Sequence, residues 1–152
     1  MRLGRRLAFD HGSARIGVAS STVDGIFSSP VAVILSDDQA LSKCQAIVEE
    51  LEPIEIYVGL PLNLQGEFTK STDSALAFAK ELAAVVDVPV LLLDERMSTR
   101  AAQAQLHASG KNTKSSKAVI DAAAATLILE SALASEQATG SVRAKAIEEF
   151  DV

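Results

Sequence analysis

The stretch LAFDHGSARIGVA (residues 7–19) decides the fold, because two apolar runs meet here with a turn of only four residues between them. The first run, residues 6–10, ends in a single carboxylate, Asp10, and Gly12 supplies the backbone freedom that a tight turn needs. The second run covers residues 15–20. Together they predict an antiparallel hairpin whose first strand ends in a bare acid.

Strands and helices alternate in the rest of the chain. A third strand is predicted for residues 31–35, and apolar runs at residues 54–62 and 88–95 predict two buried strands. Helical spacing of apolar residues follows these strands in four segments: 41–51, 71–86, 98–107 and 118–135.

This order predicts an α/β protein with a mixed five-stranded sheet, in which the first three strands are antiparallel and the remainder parallel. Helices are expected on both faces of the sheet. Residues 1–135 form one domain in this interpretation, and residues 136–152 form a flexible C-terminal tail.

Composition is that of an ordinary globular protein. The 152 residues suffice for one core, and 48% of them are apolar and 22% charged. No run approaches the ~20 apolar residues of a membrane helix, and no signal-peptide pattern follows the first six residues. The one cysteine, Cys44, cannot form an internal disulfide. We therefore expect a cytoplasmic protein with no membrane partner.

Charge is distributed unevenly along the chain. The net charge of −6 argues against nonspecific coating of nucleic acid, which needs concentrated Lys and Arg. Two segments are nonetheless basic, MRLGRR at residues 1–6 and GKNTKSSK at residues 110–117. They predict either a basic rim on an acidic body or solvated loop charges with no partner.

Acidic residues end two of the predicted strands, at the edge where an open sheet gathers its functional groups. Asp10 ends the first strand, Asp94 and Glu95 end the last one, and Asp121 interrupts an apolar helix. Taken alone, each acid is more typical of a turn, a cap or a local salt bridge. Converging carboxylates, however, raise each other's pKa and favour a hard cation. A pair of Mg²⁺ or Mn²⁺ ions held by three acids could cleave a phosphodiester.

Polar and basic side chains close to these acids are candidates for binding nucleic acid. GLPLNLQG (residues 59–66) leaves a central strand sharply, and around Asn63 the backbone could approach a phosphate closely, although turn formation explains its glycines equally well. The basic segment 110–117 immediately precedes the helix that carries Asp121. Three lysines there could steer a nucleic-acid strand toward the acids: Lys111, Lys114 and Lys117.

Four motifs, in order, resemble the YqgF (also called RuvX) family of ribonuclease-H-like proteins: DHGSARIGVA, VGLPLNLQGE, LLLDERMST and AVIDAAAATLIL. The resemblance covers roughly residues 4–134. It implies a ribonuclease-H-like fold and a nuclease that processes the 5′ end of precursor 16S ribosomal RNA, or alternatively a Holliday junction resolvase that acts on branched DNA.

The resemblance also implies a set of site residues. The acidic triad falls on Asp10, Glu95 and Asp121, with Asp94 as an additional candidate metal ligand. Basic and polar positions that follow the acids fall on four residues: Arg15, Arg96, Ser98 and Thr99.

Two positions depart from the family's pattern. Thr22, in VASST, and Gln65, in NLQG, stand where the family commonly has acids. Neither belongs to the triad, but both bear on the geometry around it. His11 occupies a turn position, and we interpret it as exposed rather than catalytic.

Three functions follow from these observations. The leading hypothesis is a metal-dependent endonuclease that acts on structured nucleic acid by direct attack of an activated water. The second is a nucleotide-binding module like an actin-like ATPase, although those proteins need two such domains. The third is a non-catalytic scaffold for nucleic acid or ribosomal partners, which the small number of aromatic residues favours. A resolvase should be a homodimer, whereas an RNA-processing enzyme could be a monomer.

Overall fold

The structure is a computed structural model that describes residues 1–97 and 116–150; of position 97 and positions 116–121 it describes the backbone alone. The helix predicted over residues 98–107 and the first part of the basic segment, residues 110–115, lie outside the described residues.

The opening hairpin is present as predicted. β1 (Arg6–His11) and β2 (Arg15–Ser21) pair antiparallel, and the Gly12 backbone N–H closes the turn by donating to the carbonyl of Arg15 at 2.8 Å. β3 (Ser28–Leu35) pairs antiparallel with β2, with a register shift between Val18 and Ala19. The three strands form one half of the sheet.

The other half of the sheet is built mainly from parallel strands. β4 (Glu55–Leu60) pairs in parallel with β1, and β5 (Val90–Asp94) pairs in parallel with β4. Every residue of β4 is buried, which explains its continuous apolar sequence, because both faces of a central parallel strand are covered. The α/β class and the mixed sheet are therefore confirmed.

The sheet has six strands rather than the predicted five, in the order β3-β2-β1-β4-β5-β6. β6 (Lys145–Ala146) pairs antiparallel with β5. Two residues are too few to show the alternation that identifies a strand. Tertiary contacts hold the segment instead: the Arg143 backbone N–H donates to Ser135 Oγ at 2.9 Å, and Phe150 packs against the core.

Three helices in the described ranges cover the sheet. α1 (Ala40–Leu51) and α2 (Lys70–Val85) pack on one face, and α3 (Ser116–Thr139) packs on the other. Successive strand residues therefore enter different cores, and Phe9 contributes to the first while Ala8 contributes to the second. None of these helices combines the length and the apolarity that crossing a bilayer requires.

The last long helix ends later in the chain than the sequence predicts. α3 continues to Thr139, four residues past the boundary predicted at residue 135. A 3₁₀ turn (Ile147–Phe150) follows β6. The flexibility of residues 136–152 stays a prediction.

Candidate functional site

Two of the predicted acids meet at the carboxyl ends of β1 and β5. Asp10 lies near the end of β1, and Glu95 directly follows β5 at the start of a 3₁₀ turn (Glu95–Met97). Strand alternation turns both side chains toward α3, the side that Ala8 and Leu93 also face. A hydrogen bond joins their carboxyl groups. We call Asp10 and Glu95 the carboxyl pair.

Gly59 makes room for the carboxyl pair. It lies on β4, between β1 and β5 in the sheet. A Cβ atom at this position would lie 2.4 Å from Glu95 Oε1 and 2.6 Å from Ile128 Cδ1. The absence of a side chain at residue 59 therefore lets the Glu95 carboxyl lie against the sheet, beneath α3.

The surroundings of the carboxyl pair favour one shared proton over two negative charges. Burial, and then the charge of Asp10 and its hydrogen bond, raise the pKa of Glu95 to about 8. A hard divalent cation, which prefers carboxylate oxygens, could replace this proton and allow both groups to ionise. The residues present therefore fit Mg²⁺ or Mn²⁺.

The third predicted acid, Asp121, lies where only the backbone of α3 is described. Helical geometry places position 121 two turns before Ile128, about 10 Å along the axis and on the same side of the helix. Among the described side chains, no group of three or more His, Cys, Asp or Glu residues converges. The structure thus describes two members of the predicted triad.

Five further residues that were predicted to bind nucleic acid have no described side chain. Four of them fall outside the described residues: Ser98, Thr99, Lys111 and Lys114. For Lys117 only the backbone, within α3, is described.

Asp94 is paired with a cationic side chain, that of Arg96. Arg96 Nη2 lies 2.6 Å from Asp94 Oδ2, and Arg96 Nε donates to both carboxylate oxygens. These hydrogen bonds lower the pKa of Asp94, although partial burial opposes them. Asp94 therefore serves to hold Arg96, and strand alternation turns it away from the carboxyl pair.

The loop at residues 62–68 is shaped by Asn63. Its Oδ1 accepts hydrogen bonds from the backbone N–H groups of Gln65 at 3.0 Å and Glu67 at 2.8 Å, and its Nδ2 donates to Glu67 Oε1. Gly66 adopts a φ of +80°, and a Cβ there would lie 3.0 Å from Arg96 Nη1. The loop therefore packs closely under the guanidinium of Arg96.

The structure shows where Thr22 and Gln65, which depart from the family's pattern, and the turn residue His11 lie. Thr22 follows β2 at the end of the sheet remote from the carboxyl pair, because Ser20 pairs with Leu7. Gln65 is exposed on its loop. The expectation that His11 is exposed was wrong: its ring stacks on Phe78 at a centroid distance of 5.0 Å, and partial burial lowers its pKa.

Two of the three N-terminal arginines, Arg2 and Arg6, are paired with glutamates. Arg6 is fully buried, with Nη2 at 2.6 Å from Glu136 Oε2. Arg2 bonds to Glu136 and, through Nη2 at 2.9 Å, to Glu55 Oε1, which also accepts from the Tyr57 hydroxyl. We call these five residues the arginine network. Arg2 and Arg6 therefore fit neither a basic rim nor solvated loop charges, because buried glutamates from β4 and α3 neutralise both of them.

Comparisons with known proteins identify the family of this chain. The family model described as "RuvX: Holliday junction resolvase" matches residues 4–135. A protein of Clavibacter michiganensis named "Putative pre-16S rRNA nuclease" is 46% identical over 144 residues, which cover 93% of this chain and 89% of that protein. A Streptomyces avermitilis protein of the same name is 47% identical and covers 97% of both chains.

A solved structure shares the fold at low sequence identity. The chain superimposes on Thermus thermophilus RuvC in complex with a Holliday junction substrate with a TM-score of 0.59, over 93% of this chain and 98% of the other. The sequences are 17% identical. The similarity therefore shows a RuvC-like, ribonuclease-H-like fold.

Proposed function

Because this chain belongs to the RuvX family, we propose that it is a metal-dependent endonuclease that hydrolyses phosphodiester bonds in structured nucleic acid. The observation that carries the proposal is the carboxyl pair. Two adjacent acids beneath an apolar helix contribute little to the stability of the fold. Their carboxylate oxygens are, however, suitable ligands for a cation that also binds phosphate.

Asp10 and Glu95, joined by Asp121, would hold a pair of Mg²⁺ or Mn²⁺ ions. Such ions, when bound, supply a water of lowered pKa and offset the charge of the leaving oxygen. Direct attack by water needs no nucleophilic side chain, so no covalent enzyme intermediate is proposed. Gly59 contributes by leaving the carboxyl groups the space that they occupy.

Basic and polar side chains around the pair would bind the phosphates of the substrate. Hydrogen bonds to Asp94 orient the Arg96 side chain. Arg96 can replace these bonds with hydrogen bonds to a phosphate group, because the geometry of a guanidinium fits both carboxylate and phosphate. Arg15 starts β2, beside the turn that follows Asp10. The remaining proposed phosphate-binding residues are Asn63, Ser98, Thr99, Lys111, Lys114 and Lys117.

Precursor 16S ribosomal RNA is the proposed substrate, processed near its 5′ end in the cytoplasm. Support comes from the relatives in Clavibacter and Streptomyces, which match nearly the whole chain and carry that substrate in their names. A second candidate is resolution of Holliday junctions, which the family's description and the fold shared with RuvC favour.

A side-by-side cleavage assay tests both substrates. Purified ribosomal RNA precursor and a synthetic four-way DNA junction are each incubated with the protein and Mg²⁺ or Mn²⁺, with EDTA and with an Asp10→Asn variant as controls. We expect cation-dependent cleavage of the RNA precursor near its 5′ end, and none by the variant. Cleavage of the junction alone would assign the second function. Cleavage that survives Asp10→Asn at the wild-type rate, or no cleavage of either substrate, would contradict the proposed nuclease.

A further inference from the structure

A groove of about 480 Å³ opens between the loop at residues 62–68 and the C-terminal segment 142–150. Leu60 and Leu92, at the ends of β4 and β5, form part of its apolar lining. Its volume lies within the range typical of sites for small organic ligands, about 300–1,000 Å³. We call it the C-terminal groove.

The charged lining of the C-terminal groove is mainly cationic. Arg96, Arg143 and Lys145 line it, together with a single carboxylate, Asp94, which is already bonded to Arg96. Arg143 and Lys145 are both exposed. Such a concentration of positive charge on a chain of net charge −6 indicates an anionic ligand.

Two aromatic rings give the groove a surface for a flat ligand. Phe68 and Phe150 both line it, with ring centroids 6.2 Å apart, and 49% of Phe68 is exposed. Exposed aromatic rings beside cationic side chains are the combination that binds unpaired nucleotides, because bases stack on the rings and phosphates bind the cations. A paired base cannot reach such a ring without leaving its helix.

Hydrogen bonds join the C-terminal segment to β5 and α3, where it forms one wall of the groove. Lys145 pairs with Leu92 within the sheet, and the Arg143 backbone N–H donates to Ser135 of α3. Within the segment, the Ala146 backbone N–H donates to Glu149 Oε2 at 2.8 Å. The Arg143 and Lys145 side chains stay exposed beside the groove.

The groove and the carboxyl pair lie at the same end of β5, on opposite faces of the sheet. Asp94, which lines the groove, and Glu95, a member of the pair, are consecutive residues whose side chains turn to these two faces. Consecutive Cα atoms are about 3.8 Å apart. The groove is therefore placed to contact a part of the substrate close to the one that the carboxyl pair contacts.

We propose that the C-terminal groove binds one unpaired nucleotide of the substrate strand next to the cleavage site, with Arg143 and Lys145 on its phosphates and Phe68 and Phe150 against its base. This inference rests on the proposed nuclease function. It gives the enzyme a reason to cut where a single strand adjoins a paired region, because a fully paired substrate leaves the groove unfilled.

The test compares binding of two RNA probes by an Arg143→Ala/Lys145→Ala variant. The probes are a fluorescein-labelled single-stranded RNA and a fully paired, blunt-ended RNA duplex, and Kd is measured by fluorescence anisotropy with Mg²⁺ in an Asp10→Asn background that prevents cleavage. The matched control is Lys43→Ala/Lys80→Ala, which removes two exposed charges from α1 and α2. We expect the groove variant to weaken single-strand binding about tenfold or more and duplex binding less than about twofold.

The outcomes separate this inference from the proposed function. An equal loss for both probes, or a loss no larger than that of the control, overturns the groove while the nuclease proposal stands. Failure of the protein without the groove substitutions to bind either RNA contradicts both this inference and the proposed RNA substrate. As a second measurement, a photoreactive 5-iodouridine strand should crosslink to Phe68 or Phe150, and adducts confined to other residues would overturn the groove.

Discussion

Two regions of the molecule place carboxylates in opposite electrostatic surroundings. In the arginine network, at the amino ends of β1 and β4, the glutamates lie against arginines. In the carboxyl pair, at the carboxyl ends of β1 and β5, Asp10 and Glu95 lie against each other. In the first region the arginines lower the pKa of Glu136, although burial opposes them. In the second, burial and a like charge raise the pKa of Glu95.

Both regions lie on the same side of the sheet and against the same helix. Glu136, near the C-terminal end of α3, reaches the arginine network, and Ile128, two turns earlier, lies beside Gly59 and the carboxyl pair. The two regions therefore differ in what lies against their carboxylates, which is an arginine in the arginine network and a second acid in the carboxyl pair. The carboxylates of the network stabilise the fold, whereas those of the pair are proposed to bind cations from solution.

A Glu95→Gln variant should show the largest effect, which should be a loss of activity without a loss of stability. Loss of one cation ligand should lower the single-turnover cleavage rate by at least about 10⁴-fold, or about 5 kcal/mol of barrier. The free energy of unfolding without metal should stay within about 1 kcal/mol of wild type near neutral pH, because Gln resembles the protonated acid. Urea unfolding measures the second quantity. If the cleavage rate fell only because the variant unfolds, Glu95 would be needed for stability, and the two regions would not differ in role.

A Glu136→Gln variant should show the reverse pattern. Arg6 would be left buried without its charged partner, which should lower the free energy of unfolding by about 3–5 kcal/mol. Cleavage per folded molecule, assayed at low temperature, should be unchanged. The exposed residue Glu148 offers the same chemical change as a control, Glu148→Gln, and should have little effect.

Removing both partners sharpens this prediction. An Arg6→Met/Glu136→Leu variant should lose less stability than Glu136→Gln alone, because no unpaired charge remains buried. A larger loss in the double variant would show that packing, rather than charge matching, makes Glu136 important.

The smallest expected effect is the pH dependence of stability without metal. The pKa of Glu95 is raised from 4.5 to about 8 on folding, so between these values the folded protein keeps a proton that the unfolded chain has released. Stability should therefore fall, by about 1–3 kcal/mol, as pH rises through this window. Millimolar Mg²⁺ should reverse the fall. Glu136, with its lowered pKa, should contribute stability that is lost only as pH decreases.

The same titration in the Glu95→Gln variant isolates the contribution of Glu95. Burial lowers the pKa of His11, so this group makes stability rise as pH passes its ordinary value, and the variant retains that effect. Thermal unfolding curves from about pH 5 to pH 8 give the difference. An identical fall in both proteins would assign the pH dependence to groups outside the carboxyl pair.

Local sequence signals were sufficient for most of the fold. The apolar runs around Asp10 predicted the hairpin, and the continuous Ile and Val of β4 predicted a strand covered on both faces. These features depend on neighbouring residues, so they can be read from a single sequence. Asp10 could be singled out because it lies at the end of a buried strand, whereas the choice of Glu95 over Asp94 depends on the family resemblance.

Features that depend on distant contacts could not be predicted. MRLGRR looks like a solvated basic segment, and only the tertiary structure brings Glu55 and Glu136 to its arginines. β6 is likewise fixed by pairing with β5.

The two-residue β6 also affects how copies of this protein can associate. It pairs with Leu91 and Leu92, so part of the outer edge of β5 is already covered. The opposite edge, β3, carries Pro30, which lacks the N–H that a further strand would need. Continuous sheets that extend from molecule to molecule are therefore disfavoured at both edges. A symmetric dimer that acts on a two-fold substrate would have to form through helices or loops.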